Sequence, residues 1–425
     1  MKKIVTSVGL VAVGASGLQA VNISGITDDS PTKPWNASVS LRGFYDDNIN
    51  TSSDGSKDML GMEVSPSIGF AMSWPQTKVA IGYTYSFKWY ERKPQGNSEN
   101  YDQTHEVNAA LDHAFSERYK ASLSDSLAIG QEPDVLRAGN TFATFQRISG
   151  YNLRNYGSAA LTAQMTPLVA LRPAYNNAYY NYAQNGGNAD NPSTAGVLNR
   201  IENAPSLDTL WTVTPTTFGV VGAQFREVDY TAGEEIGITG NGETVTSGDK
   251  NFREYYVYVG ADTTFRPDLT ASVRVGGQYV DYFNDPNGQN GWGPYAQASM
   301  RYIYQPKCYV EVGLTQDLNA TDVTGVDNNS FTTSAESTSV YGSINHQITP
   351  KLRGSLLGQF QNSVFQGGLY DGETEQYFLA GLNFKYQFTP HFAGETGYNF
   401  DRLISDVPNR TYSRNRVYIG VSASY

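Results

Sequence analysis

Lys78-Val79-Ala80-Ile81-Gly82-Tyr83-Thr84-Tyr85-Ser86-Phe87-Lys88-Trp89 is the stretch that decides the fold. Val79, Ile81, Tyr83, Tyr85, Phe87 and Trp89 alternate with Lys78, Ala80, Gly82, Thr84, Ser86 and Lys88. Successive side chains of a strand point to opposite faces, so this segment reads as a strand with one apolar and one polar side. The pattern recurs to the end of the chain around eight tight turns: Pro75, Ser116-Glu117, Pro167, Pro215, Pro267, Pro306, Pro350 and Pro390. Proline fits a turn because it lacks the N–H that a central ladder needs. The opposite strand ends are joined by long polar stretches rich in Gly, Asn and Asp, such as Lys93 to Gln103, Gln184 to Asn203 and Ala320 to Ala335. Short turns at one end and long loops at the other are the signature of a transmembrane β-barrel.

Counting outward from the Lys78 strand gives an all-β, antiparallel up-and-down barrel of 18 strands over residues 36–425. An even count leaves both termini on the periplasmic side. Apolar faces are expected to meet lipid. The clearest are Leu60, Met62, Val64, Ile68, Phe70 and Met72; Tyr255, Val257 and Val259; and Val310, Val312, Leu314 and Leu318. Aromatics beside the turns, among them Trp74, Phe265, Tyr304, Phe388 and Phe392, are expected to form a girdle at the bilayer edge. Around Arg172-Pro173 the alternation weakens.

Composition agrees with this reading. A mean hydropathy of −0.43 with 30 Tyr and 19 Phe suits a barrel that hides half of each strand in a wet lumen. No stretch after residue 20 approaches the run of about 18 apolar residues that a spanning helix needs. Met1-Lys2-Lys3, the apolar run Ile4 to Val13 and the small residues up to Ala20 read as a signal peptide over 1–20, cleaved after Gly17 or Ala20. Residues 21–35 then form a short periplasmic tail. Removing Lys2 and Lys3 from the 30 basic residues leaves 28 against 41 acidic, a net charge of −13, which disfavours nucleic acid as a partner. Cys308 is the only cysteine, so no internal disulfide forms.

The last residues, Tyr418-Ile419-Gly420-Val421-Ser422-Ala423-Ser424-Tyr425, resemble the terminal strand by which the barrel-assembly machinery recognises outer-membrane proteins. The resemblance assigns an assembly signal to Gly420, Ala423 and Tyr425. Three further segments carry a wider likeness: Tyr119-Lys120-Ala121-Ser122-Leu123-Ser124-Asp125; Pro215-Thr216-Thr217 with Val228-Asp229-Tyr230; and Val259-Gly260-Ala261 leading to Arg266-Pro267-Asp268-Leu269-Thr270. On these the chain resembles the β-barrel porins of the second type, a Gram-negative outer-membrane family. The resemblance implies a pore in outer-membrane lipid without naming a solute; a passive or weakly selective channel for small solutes or ions is the expectation. Because relatives of that group are associated with exopolysaccharide export, the resemblance also leaves a polysaccharide as an alternative cargo.

An 18-stranded barrel is wide enough for an aqueous channel. Parity assigns to its lumen Arg42, Glu63, Lys78, Lys88, Glu106, Asp112, Lys120, Asp262, Arg274, Arg301, Glu311, Asp317, Arg353, Glu375, Lys385, Glu395 and Arg416. Such charges either solvate the wall in cross-strand pairs or set a field across a constriction. The connection from Gly130 to Gly150, with Glu132, Asp134, Arg137 and Arg147, is the candidate constriction loop; the alternative is an external flap. Inward Tyr256, Tyr258, Tyr295, Tyr309, Tyr377 and Tyr418 are scattered, which suits space-filling and hydrogen bonding better than a sugar-stacking track. A hydrolase needs a base beside a nucleophile. His105, His113, His346 and His391 show no such pairing, and Asp112 and His113, as strand neighbours, face opposite sides. No metal-ligand spacing and no phosphate loop is present, so no cofactor is expected and a channel is preferred to an enzyme. No segment reads as a plug domain, although inward-folding loops would also block a lumen.

Overall fold

The computed structural model describes residues 34–92, 99–130, 151–285, 288 and 290–425. The signal peptide and the residues Glu132, Asp134, Arg137 and Arg147 lie outside the described residues. Eighteen antiparallel strands form one closed sheet. They are β1 (Trp35–Asp46), β2 (Met59–Ser73), β3 (Thr77–Tyr90), β4 (Tyr101–Ala114), β5 (Tyr119–Gly130), β6 (Asn152–Gln164), β7 (Val169–Tyr182), β8 (Arg200–Thr214) and β9 (Thr217–Tyr230). After a small hairpin of β10 (Glu235–Ile238) and β11 (Thr244–Thr246) come β12 (Phe252–Arg266), β13 (Leu269–Asp281), β14 (Gly291–Gln305), β15 (Cys308–Ala320) and β16 (Ser334–Thr349). The chain ends with β17 (Leu352–Gln366), β18 (Thr374–Thr389), β19 (Phe392–Ser405) and β20 (Tyr412–Ser424). Each barrel strand pairs with its chain neighbours, and β1 pairs with β20 from Ser38–Ser424 to Asp46–Arg416, which closes the sheet and leaves no edge.

Ion pairs between non-neighbouring strands identify the inner face. Arg172 on β7 lies 3.9 Å from Asp262 on β12, a contact that only side chains on the concave side can make. The apolar residues of opposite parity, such as Ile68, Ile81, Leu123, Val257 and Leu356, stand exposed on the outside as a lipid-facing belt. No helix among the described residues is long and apolar enough to cross a membrane.

Four strand prolines test the rule that proline gaps a ladder. The β2–β3 ladder skips from Val64–Phe87 to Ser67–Thr84 around Pro66. The β6–β7 ladder skips from Ala160–Ala174 to Ala163–Leu171 around Pro173, and the β8–β9 ladder from Asn203–Glu227 to Ser206–Gln224 around Pro205. In all three the ladder resumes. At the fourth, Pro294, it does not. The β14–β15 ladder ends at Ala296–Gln316, although β14 continues to Gly291 and β15 to Ala320.

Above Gln316, β15 stays with β16 and leaves β14, so the tip of the β15–β16 hairpin turns into the barrel. This corrects the lipid-facing assignment of Leu318. It is buried with Val228, Tyr230, Phe252, Val280 and Tyr282, which line the inner face. The bend also brings together strands that the sheet keeps apart. From β9 to β15 is four strand spacings, roughly 19 Å along the sheet, yet an Arg226 Nη2 of β9 donates to the Leu318 carbonyl.

Candidate functional site

The inner wall divides into two arcs. From β7 to β15 it is packed. Arg172 donates to Asp208 at 2.6 Å, Arg274 pairs with Asp262 at 2.8 Å, and Arg226 pairs with Glu254 and reaches Asp317 at 3.7 Å. Tyr258 donates its hydroxyl to Asp208 and Tyr256 donates to Asp317. The guanidinium of Arg274 and the carboxylate of Glu254 are 1 % and 0 % exposed by residue, so these charges persist only because each is paired. Gly222 belongs to this packing: a Cβ there would stand 2.3 Å from both Asp208 Oδ1 and the Tyr258 ring.

The tyrosines need a correction here. Tyr256, Tyr258 and Tyr295 are contiguous, with ring centroids 5.1 and 5.5 Å apart. They are also buried, so they fill the arc and offer no open face for stacking.

At the long-loop end the inward hairpin tip is tied from several sides. Arg410, between β19 and β20, grips Asp322 with two hydrogen bonds of 2.9 and 3.0 Å and Glu375 of β18 with two more of 2.7 and 3.2 Å. The Lys250 ammonium donates to the Thr321 and Val323 carbonyls at 2.8 and 3.3 Å. Gly240, in the turn of the β10–β11 hairpin, donates to the Asp327 carbonyl. Beneath these ties Tyr156, Tyr180 and Tyr182 of the wall pack with Leu198, Ile236, Val245 and Phe331 from three different loops. Burial in this setting pushes Lys250 down to about 7, offset in part by Asp322 and reinforced by Arg200.

On the other arc, β16 through β20 and β1 to β6, short side chains line β1 to β5, whereas toward the loop end β18 to β20 bury Tyr377, Leu403, Tyr412 and the Arg414–Asp401 ion pair. Ser38 meets Ser67 at 2.6 Å and Ser65 meets Ser86 at 2.9 Å, while Ser124 lies opposite Ala110 and Ser158. One row of the sheet crosses this arc. Strand by strand it reads Gln347, Arg353, Lys385, Glu395, Gly420, Arg42, Glu63, Lys88 and Asp102. It starts beside the Pro350 turn and ends at the loop end of β4, because rows perpendicular to tilted strands climb the wall.

Along this row Arg42 is the central tie. Its Nε donates to Glu395 at 2.6 Å, Nη1 lies 3.9 Å from Glu63, and the cation sits 5.0 Å over the Tyr418 ring.

The remaining inward charges fall as follows. Lys78 lies opposite Asp112, Lys120 opposite Ala114, and Glu106 opposite Ala128. Arg301 and Glu311 stand 3.9 Å apart, Glu375 is held by Arg410, and Arg416 is 3.9 Å from Asp46. At the closing seam, Gly420 faces inward opposite Arg42, and Ala423 lies opposite Val39. Tyr425 exchanges backbone hydrogen bonds with Ala37 and sets its ring 5.5 Å from Trp35. The four histidines bond to Thr77, Tyr83, Tyr304 and the Ser424 carbonyl. Among the described residues no group of His, Cys, Asp and Glu is placed to hold a metal.

Residues 35–425 match the family described as "Putative beta-barrel porin 2". The chain belongs to this family of β-barrel porins. No curated protein matches it in sequence. Among solved structures, the porin is similar to the outer membrane protein OpdK of Pseudomonas aeruginosa, with 11 % identity, a TM-score of 0.45, and coverage of 92 % of this chain and 99 % of that one. It is similar to a BenF-like porin of Pseudomonas fluorescens Pf-5, with 10 % identity, a TM-score of 0.42, and 92 % and 99 % covered. The siderophore receptor PirA of Acinetobacter baumannii matches with 9 % identity and a TM-score of 0.43, over 93 % and 81 %. The porin is thus an outer-membrane barrel in contact with lipid, and its family points to a channel for small solutes rather than a catalyst.

Proposed function

We propose that this porin is a passive, weakly selective diffusion channel whose solutes move along the open arc. The observation that carries the reading is the contrast in side-chain size: the serine-lined wall leaves room where the β7–β15 wall has filled its own. Solutes pass Arg42, Glu63, Lys78, Lys88, Glu106, Lys120, Arg353, Lys385, Glu395 and Arg416; Arg301 and Glu311 face them from β14 and β15 of the packed arc, and Arg274 and Glu375 line the path only through the ion pairs that bury them. The inward tip of β15–β16 narrows the outer mouth. This loop-lined entrance favours small solutes or ions over the alternative cargo, an exported polysaccharide, which needs a wide uninterrupted lumen. The connection from Gly130 to Gly150, with Glu132, Asp134, Arg137 and Arg147, is the candidate for a second constriction, and its deletion distinguishes that role from an external flap.

Biogenesis follows from the two chain ends. Residues 1–20 direct export and are removed, the residues from 21 up to the start of β1 at Trp35 remain as a periplasmic tail, and Gly420, Ala423 and Tyr425 engage the assembly machinery. Single-channel recording of the refolded mature chain in a planar bilayer tests the channel reading. Stable open steps are expected; a folded barrel that never conducts overturns it.

A further inference from the structure

The charged row on the open arc alternates in sign with one exception. Asp102, Lys88, Glu63, Arg42 and Glu395 alternate in turn across Gly420, and then Lys385 and Arg353 follow as two cations directly opposite each other on β18 and β17. Opposite residues of an antiparallel pair have Cβ atoms about 5 Å apart, and like charges there are destabilising. The row neighbour that would relieve them, Glu395, accepts from Arg42 Nε with Oε1 at 2.6 Å, so its single charge is shared between Arg42 and Lys385 and leaves Arg353 without a carboxylate opposite. The neighbour on the far side, Gln347, is uncharged and spends its amide N–H on the Thr349 and Leu352 carbonyls. Arg353 Nε is shielded from solvent with no acceptor, whereas Lys385 stands exposed to the lumen. The row above adds uncharged Ser355 opposite Asn383.

We propose that Arg353 and Lys385 form an anion subsite at the periplasmic end of the lumen and give the channel a preference for small anions, carboxylates or inorganic phosphate. A single carboxylate or phosphate between the two groups supplies the negative charge that the row omits. It accepts from the guanidinium fork and the ammonium together and removes their repulsion. The pair sits beside the Pro350 turn, so every solute that leaves toward the periplasm along the open arc passes it. Such a site raises local anion concentration without a tight cage, as a channel requires if solutes are also to leave.

This inference rests on the channel reading, and the experiment separates the two. Reversal potential under a KCl gradient is recorded for the wild-type porin, for Arg353→Gln/Lys385→Gln, for Lys385→Glu, and for Lys57→Gln in an outer loop as control. Block of the current by inorganic phosphate is titrated on the same channels. Wild type is expected to favour chloride over potassium, and the double variant is expected to lose about threefold or more of that ratio and most of the phosphate block.

Lys385→Glu places an opposite charge beside Arg353. On its other side it stands opposite Glu395, so the new attraction and the new repulsion offset; the variant is expected to fold with stability near that of wild type while losing the anion preference, which answers any failure of the double variant to fold. Open channels whose ratio and phosphate block are unchanged in Lys385→Glu overturn the subsite. A wild-type barrel without conductance overturns the channel reading itself.

Discussion

Arg226 and Ser124 both point into the same barrel, and they do opposite things there. Arg226 belongs to an arc in which long charged and aromatic side chains meet one another: its guanidinium holds Glu254, Asp317 and the Leu318 carbonyl, and nothing is left for a solute. Ser124 belongs to an arc whose cross-strand neighbours, Ala110 and Ser158, are as small as itself. Barrel circumference follows from strand number, but usable lumen follows from what the inward side chains do with it. Here one wall spends its side chains on rigidity and the other leaves space. A one-sided path needs the packed wall, because the inward β15–β16 tip must be held against something.

The sharpest way to break this comparison is to cut one side chain from each arc. Arg226→Ala leaves the Glu254 carboxylate, which is 0 % exposed, without its partner, and is expected to cost about 3–5 kcal/mol of barrel stability. Ser124→Ala removes one half-buried hydroxyl and is expected to stay within about 0.5 kcal/mol. Urea unfolding of the two variants in lipid vesicles, followed by tryptophan fluorescence, checks the difference. Equal losses would mean that the two arcs are energetically alike.

A smaller effect is expected at the tie that fastens the hairpin tip. Lys250 has a folded-state pKa lowered from 10.5 to about 7 by burial. The groups facing it are Asp322, which favours its charge, Arg200, which opposes it, and the Tyr230 ring 5.1 Å away, besides the two carbonyls it donates to. Between these two values the unfolded chain binds more protons than the folded one, so stability rises with pH across that window. Below about pH 7 both states are protonated and the group adds no slope. The slope is at most about 1.4 kcal/mol per pH unit. Unfolding midpoints from pH 7 to 9 are therefore expected to rise in wild type and to flatten in Lys250→Met. A wild-type slope that survives this substitution would place the titrating group elsewhere.

How much of this is open to reading in the sequence follows from periodicity. Strand number, direction and lipid face rest on a period of two that runs through residues such as Val79 to Trp89, and that period is local. The inward charges are legible by the same parity. Arg226 shares the parity of Gln224 on β9, and Glu254 that of Tyr256 on β12, so they too lie within its reach. Their partners do not. Arg226 meets Asp317 only because Pro294 ends the β14–β15 ladder, and a proline within a strand reads as a gap, with no sign of whether pairing resumes. The lipid-facing reading of Leu318 fails for that reason. Lys250, Asp322 and Arg410 lie between strands, where no period exists, and their meeting depends on how several loops fold over one mouth.

The finest test of the two arcs asks only what a solute can touch. Cys308, the native cysteine, is 1 % exposed, so a membrane-impermeant charged thiol reagent has little background. Ser124→Cys is expected to react in the open channel and to lower its single-channel current, since the added group occupies the path beside Ala110 and Ser158. Val220→Cys lies on the same inner face, but its position is 2 % exposed beneath Tyr256, Tyr258 and Tyr295, and it is expected to stay unreacted with its current unchanged. The two positions share the inward face and differ in the arc that carries them. Reaction at both would mean that solutes reach behind the tyrosines and that the packed wall opens in the working channel. Reaction at neither, in a channel that conducts, would move the path off the serine wall, and the selectivity assigned to that wall would move with it.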